Sequence, residues 1–389
     1  MVFELKKPTN RVPGLLVFSH KEYTRFLNTK VAKFLLNELK DNYFIGIHWG
    51  ASFKTIPINK QVDIHFSLPG LLPNISELEE KIIPLTTRNF TPNIFSPQKD
   101  VQKDWDIITI GRKVKAKRYL EFFLIIKKVL EKRPETKILI IAPEYGFPNK
   151  STYDFLFEEN FAQIFNEEEK KQINIHSQNG FLDTTEIIHK LNKSKTFLFT
   201  SVKEGVAKVT AEAALCGLKI LIYKDFIGSF THGIVDDQLY LYKDIDDASS
   251  NLIKFIEENQ SYYPDETLLR EDHSITKLHK YLDKFYSLRG FNYDHIINST
   301  DLRRNLNSFN KTLPDELVIG NSNDIKDLKA FLGFCELHSI NVNIKKKILV
   351  SIVEFLLKSK DLYRKRRNLF PLFIWKIYRR RTQYNKLAI

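Results

Sequence analysis

Two glutamates eight residues apart, Glu204 and Glu212, flank a junction in the segment FLFTSVKEGVAKVTAEAALCGLKILI, residues 197–222. Its apolar run reads as a strand ending at Ser201, a short loop carries Glu204 and Gly205, and a helix opening near Lys208 runs to a stop at Gly217. Junctions of this kind lie at the carboxyl edge of a parallel sheet, where open α/β folds bind ligands. Backbone N–H groups in the helix's first turn, around Ala207 to Val209, favour a phosphate, and carboxylates on either side accept hydrogen bonds from sugar hydroxyls. Phosphate together with polyhydroxyl is the chemistry of a nucleotide sugar. Taken alone, the pair is also what a solvated helix position and a helix-dipole partner would leave.

A second element adds to the first. GRKVKAKR, Gly111 to Arg118, directly follows the first strand expected in the same domain, which sets Arg112 and Lys117 on the sheet edge that carries Glu204. A guanidinium fork and an ammonium there neutralise the charge of a leaving diphosphate. The alternative for Arg112, were it alone, is a basic solvated loop that opens a helix.

The elements that must hold these residues follow from hydrophobic periodicity. From Asp106 to about Asp244, short β-rich runs alternate with longer helix-patterned segments, as in a parallel sheet with helices on both faces. Strands are expected at Ile107 to Ile110, Lys137 to Ala142, Ile173 to His176, Thr196 to Thr200 and Lys219 to Tyr223. Helices are expected at Arg118 to Lys132, Tyr153 to Lys171, Thr184 to Lys193, Lys208 to Cys216 and Asp246 to Gln260. The first shows one apolar face at Leu120, Phe123, Leu124, Ile126, Val129 and Leu130. Upstream, Leu15 to Ser19, Tyr43 to Ile47 and Val62 to Phe66 read as strands, with a helix between Tyr23 and Leu39. The fold class is therefore α/β, with a small Rossmann-like unit over 1–100, a full one over 101–289, and a helical, basic extension over 290–389 whose periodicity is strongest in Ile325 to Leu337 and Lys345 to Tyr363.

Taken together, these segments resemble the retaining GT-B glycosyltransferases, in which two Rossmann-like domains face each other across a cleft. The matching motifs are the Gly-Arg-four-residues-Lys element at Gly111 to Lys117 and the Glu-seven-residues-Glu element at Glu204 to Glu212, which continues into Glu-Ala-Ala-Leu-Cys-Gly. Gly180-Phe181-Leu182 before a short helix, Asn89 through Phe95 and Pro97 also match. The resemblance covers about Pro13 to Gln260 and is strong from Asp106 to Tyr223. It implies that Arg112 and Lys117 bind the donor diphosphate, that Glu204 contacts the transferred sugar, that Glu212 holds the ribose hydroxyls, and that Gly205, Val206, Ala207, Lys208 and Val209 line the donor. It also makes His20, in Phe18-Ser19-His20, the candidate for the strand-end histidine that contacts the sugar, with His48 and His65 as competitors.

The implied reaction moves a hexosyl group from a UDP- or GDP-linked sugar to a carbohydrate or lipid-linked acceptor, with retention, as in polysaccharide biosynthesis. The ten histidines form no HExxH-type pair and no DxD sits in a suitable loop, so no cofactor and no metal are expected. Two departures stand out. Val206-Ala207-Lys208-Val209 replaces the family's Gly, Phe and Pro-rich loop, and the amino-terminal domain lacks the family's Gly-rich loop and the strands before it. The alternative they leave open is a non-catalytic sugar-nucleotide-binding or scaffolding relative.

Of 60 Lys plus Arg and 47 Asp plus Glu, 14 and 2 fall after residue 343, so that tail carries +12 of a net charge of +13. Lys358 to Arg381 interleaves Arg clusters with Phe370, Phe373 and Trp375, a pattern that fits an anionic membrane surface through residues 344–389, or a helix packing its aromatic face on the body. No nucleic-acid motif accompanies it. Two cysteines suit a reducing compartment, and neither a signal peptide nor about 18 consecutive apolar residues occur, so a cytoplasmic protein, peripheral on the inner membrane face, is expected.

Overall fold

The computed structural model describes residues 2–9, 11–19, 39–49, 62–67, 80–143, 151–177, 182–229, 234, 236–258, 262 and 271–297. The chain divides into two compact units, residues 1–312 and 313–389, and every described residue lies in the first.

The first sheet contains β1 (Val2–Lys6), β2 (Gly14–Ser19), β3 (Tyr43–His48), β4 (Ile64–Phe66) and β5 (Ile82–Ile83) in that spatial order. β1 runs antiparallel to β2, and the other pairs are parallel. The second part of the chain contributes β6 (Trp105–Ile110), β7 (Ile138–Ile141), β8 (Ile173–His176), β9 (Ser194–Phe199), β10 (Lys203–Val206), β11 (Lys219–Tyr223), β12 (Ile227–Ser229) and β13 (Leu239–Tyr242). Six of these form a wholly parallel sheet in the order β13-β11-β9-β6-β7-β8, while β10 and β12 make a separate parallel pair. The strand order turns around between β6 and β9, which makes their carboxyl ends the switch point of the sheet.

Seven helices among the described residues accompany the strands: α1 (Tyr119–Lys132), α2 (Thr152–Ile164), α3 (Glu167–Lys171), α4 (Thr184–Asn192), α5 (Lys208–Leu215), α6 (Ile245–Glu258) and α7 (Glu271–Ser287). The helix expected over Tyr153 to Lys171 is two helices. Asn166 accepts from the Glu169 N–H and the Glu169 side chain accepts from the Asn166 N–H, a capping box that starts a new helix and breaks the old one. α1 buries Phe122, Phe123, Ile125, Ile126 and Val129 completely, worth about 1.5–3 kcal/mol for each large side chain, yet leaves Leu120 and Leu124 half exposed. Its buried face is thus rotated from the expected one, because Phe122 and Ile125 widen it on one side.

The six-stranded sheet is covered on both faces. Ile108, Leu139, Phe197, Ile220 and Ile222 pack with α4 and α5 residues such as Leu191, Ala211 and Leu215. On the other face Ile107, Ile138, Ile140, Leu198 and Leu221 pack with Phe123, Phe157 and Leu252 of α1, α2 and α6. This accounts for the continuous apolar runs of its strands. In the first sheet, Leu15, Val17, Ile64, Phe66 and Ile83 pack against Leu278, Leu282, Phe285 and Tyr286 of α7, so this core takes its helical cover from residues that follow the second sheet in the chain. The expected helix between Tyr23 and Leu39 lies almost wholly outside the described residues, as do Ile325 to Leu337 and the tail from 344.

Candidate functional site

The site assembles at the switch point. β6 and β9 are neighbours, with Ile107 opposite Thr196 and Ile108 opposite Phe197. The loop leaving β6 is tied to the one leaving β9: the Val202 N–H donates to the Ala116 carbonyl at 3.1 Å and the Thr200 hydroxyl donates to the Lys117 carbonyl at 2.7 Å. A 3-10 turn over Lys115–Lys117 and a left-handed Arg118 (φ 50°) then turn the chain into α1. As a result the Lys117 ammonium bonds the Glu204 carboxylate, although the two lie 87 residues apart. Both are partly buried, with 17% and 22% of their side chains accessible.

Neighbours fix this pair. The Ser201 hydroxyl donates to Glu204 Oε1 at 3.1 Å, and the ammonium of Lys117 lies 4.9 Å from the centre of the Phe199 ring. The stem of Lys117 runs over Gly111, where a Cβ would fall 2.9 Å from Cε. Any larger residue there would have to displace that stem. The Tyr119 hydroxyl donates to the Gly111 carbonyl at 2.6 Å, and burial, with the charge of Glu204 in addition, pushes its pKa well above the ordinary tyrosine value.

The other basic residues of the loop take separate paths. Arg112 is exposed at the end of β6. Lys113 is buried, 4.0 Å from the equally buried Asp154 and 4.8 Å from the Phe157 ring centre. Arg118 pairs with Glu121 and stacks on Tyr223 at 4.5 Å. Lys113 gave no sequence signal, since a segment as rich in cations as Arg112-Lys113-Val114-Lys115 reads as a solvated loop.

Glu204 and Gly205 do not lie in a loop. They belong to β10, whose Lys203 and Val206 register with Ile227 and Ser229 of β12. This strand holds Glu204 rigidly beside Lys117. Next, Ala207 is the uncapped N-cap of α5, and Lys208 and Glu212 form an i, i+4 pair at 3.6 Å. Burial raises the Glu212 pKa, and the neighbouring Lys208 offsets part of that rise. Gly217, at φ +83°, ends the helix in the left-handed conformation expected of such a stop. Arg88 was missed: it is fully buried, and its Nη1 donates to the Thr210 hydroxyl oxygen at 2.8 Å and the Ala207 carbonyl at 3.3 Å. Its neighbours Asn89 to Phe95 carried a motif, but nothing in the sequence tells a buried linker arginine from a solvated one.

His20 lies outside the described residues, as do Gly180 and Phe181. His65 is fully buried, accepts from Trp49 Nε1 at 3.0 Å on Nδ1, and has its pKa pushed down to about 4 by burial and by the charge of Lys81. His48 is also buried. Cys216 is buried and free, its thiol pushed up to about 12, chiefly by burial. Among the described residues no three His, Cys, Asp or Glu gather as a metal would require, and no helix is long and apolar enough to cross a membrane.

The family model described as Glycosyl transferases group 1 matches residues 90–270, the stretch that contains the whole switch-point site. No curated protein matches the chain. Among solved structures, TarM is similar at 16% identity and a TM-score of 0.47, over 70% of this chain and 54% of TarM, so the chain spans about half the length of that protein. The C-terminal domain of the glycosyl transferase group 1 family protein LpcC from Francisella tularensis is similar at 19% identity and a TM-score of 0.35, over 49% of this chain and 95% of that domain. An α,α-trehalose 6-phosphate synthase from Burkholderia multivorans is similar at 12% identity and a TM-score of 0.44, over 67% of this chain and 70% of the other. Residues 90–270, just under half of the chain, are thus similar to the glycosyl transferases group 1 family, and they lie on a two-sheet α/β architecture.

Proposed function

We propose that the chain transfers a hexosyl group from a UDP- or GDP-linked sugar to a carbohydrate or lipid-linked acceptor, with retention of configuration and without a metal. The observation that carries this reading is the Lys117–Glu204 pair at the switch point, within the stretch matched by the family. A cation and a carboxylate held on each other are a charge pair that a donor exchanges. The diphosphate takes the ammonium of Lys117, aided by Arg112, by Gly205 and Val206 at the end of β10 and by the start of α5 at Ala207, Lys208 and Val209, while the freed Glu204 accepts from hydroxyls of the sugar. Glu212 takes the ribose hydroxyls. The bond from the anomeric carbon to the diphosphate oxygen then breaks, with its electron pair leaving on the phosphate. The acceptor hydroxyl attacks from the same face and gives its proton to that phosphate oxygen. Positive side chains and the helix dipole stabilise the leaving charge, the part a metal plays elsewhere. The 1–100 region supplies the acceptor side, with His20 at the sugar, and residues 344–389 hold the protein to an anionic cytoplasmic membrane face.

A thermal-shift screen against UDP-, GDP- and ADP-sugars tests the donor: a ligand that binds the fold raises its melting temperature. Transfer or donor hydrolysis abolished by Glu204→Ala and by Arg112→Ala supports catalysis, whereas binding with no turnover on any acceptor leaves a sugar-nucleotide-binding protein. An inverted anomeric product by NMR overturns retention. Unchanged liposome sedimentation after removal of 344–389 overturns the membrane role.

A further inference from the structure

The segment between the two sheets enters the site. Phe90 lies in the core of the first sheet and Phe95 in that of the second, and Arg88 sits just before them in a 3-10 turn, Thr87–Phe90. That turn is closed on itself: the Asn89 side chain accepts from the Thr86 N–H at 2.9 Å, the Asn89 N–H donates to the Thr86 carbonyl at 2.9 Å, and the Thr91 hydroxyl donates to the Arg88 carbonyl at 2.9 Å. From this fixed base the guanidinium reaches the start of α5. There it donates to Thr210 Oγ1 at 2.8 Å, and Thr210 Oγ1 donates at 2.6 Å to the Ala207 carbonyl, which Arg88 also contacts at 3.3 Å. Ala207 has no side chain able to cap the helix. Arg88 and Thr210 together therefore fix the peptide at the entrance of α5, in a place with no access to water.

We infer that Arg88 is a positioning residue for the donor's diphosphate: from the linker, it holds the first turn of α5 in the orientation in which that turn's N–H groups meet the phosphate. The inference rests on the donor reading above and adds a residue outside the motifs. Two physical effects act in one direction. The clamp removes freedom from the Ala207 peptide, so binding an anion there costs no reordering. A positive charge buried at the same helix end, screened weakly in the protein interior, adds to the field the anion meets. Burial alone draws the Arg88 pKa down to about 9, which leaves it charged at neutral pH.

The experiment is calorimetric titration of the full chain and its Arg88→Gln, Arg88→Lys and Thr210→Val variants, at low ionic strength, with UDP and GDP and with uridine and guanosine. In Arg88→Gln the affinity for the preferred diphosphate falls roughly tenfold while that for its nucleoside stays within about twofold, and Arg88→Lys recovers part of the loss. Thr210→Val, which keeps the charge and removes the clamp's far end, shows the same selectivity at smaller size. Equal losses for diphosphate and nucleoside, or no loss, overturn the inference, since a residue needed only for folding would not tell them apart. Should Arg88→Gln fail to fold, Thr210→Val decides by the same criterion. If the wild-type protein binds UDP and GDP no better than their nucleosides, the donor reading itself falls and the inference with it.

Discussion

Replacing Gly111 with alanine places a methyl in space that the Lys117 side chain occupies. The added Cβ would lie 2.9 Å from Cε, 3.1 Å from Cδ and 3.3 Å from Nζ of that lysine. Carbon atoms settle at about 3.5–4.0 Å, so the stem must shift by roughly 0.5–1 Å, and the ammonium it carries changes its place in the site. Stability should change little. Gly111 is not among the left-handed glycines, so alanine fits its backbone and restricts the unfolded chain by about 0.4–1 kcal/mol, which offsets the crowding of a flexible side chain. If Lys117 holds the donor as proposed, function should change much more, because a displacement of about 1 Å at a reacting centre costs on the order of 100-fold. The assay is kcat/KM for donor turnover, set beside the melting temperature of the same preparation. Wild-type kcat/KM in a folded Gly111→Ala protein would refute the claim that the Lys117 position matters. A fall in melting temperature of more than about 8 °C would place the loss in folding instead.

Two further outcomes follow from buried charge. Because burial raises the Glu212 pKa, the folded state binds more protons than the unfolded one just above the unfolded value, and this contribution to stability, full below about pH 4.3, is lost as pH rises through the folded pKa. Glu212→Gln should accordingly leave stability unchanged at low pH, raise it by about 0.5–2 kcal/mol at neutral pH, and weaken donor binding; urea unfolding across pH with donor titration checks all three. Lys113→Met removes the ionic partner of a fully buried Asp154 and should cost about 3–5 kcal/mol in urea unfolding. Because Asp154 also accepts from the Ser151 N–H at 2.7 Å in the capping box of α2, a Lys113→Met, Asp154→Asn double variant, which removes the charge and keeps an acceptor there, recovers part of that loss.

The six-stranded sheet was legible because strands buried on both faces must be continuous β-branched runs, as in KILIY at 219–223, whose bounds agree with the expectation. β10 was not, since KEGV has no alternation and becomes a strand only through its pairing with β12. α7 escaped for a related reason: Leu278, Leu282 and Phe285 are spaced for one face but stand among charges, and it is the first sheet, far away in sequence, that buries them. In the site, residue type and strand-end position were enough to bring Lys117 and Glu204 to one edge. Arg88 was beyond that reasoning, because its role depends on a contact with Thr210 across 122 positions.

α7 also reverses the order in which the protein can complete itself. Both cores of the second sheet are made of residues no later than Ile256, while the core of the first still needs Leu278, Leu282, Phe285, Tyr286 and Tyr293. On the ribosome, where domains ordinarily fold in the order they emerge, the first strands to appear must wait, their apolar face uncovered, until the later domain has already closed. A nascent chain with about 270 residues emerged would thus present a finished six-stranded half joined to an unsealed sheet, the species most exposed to aggregation and to chaperones.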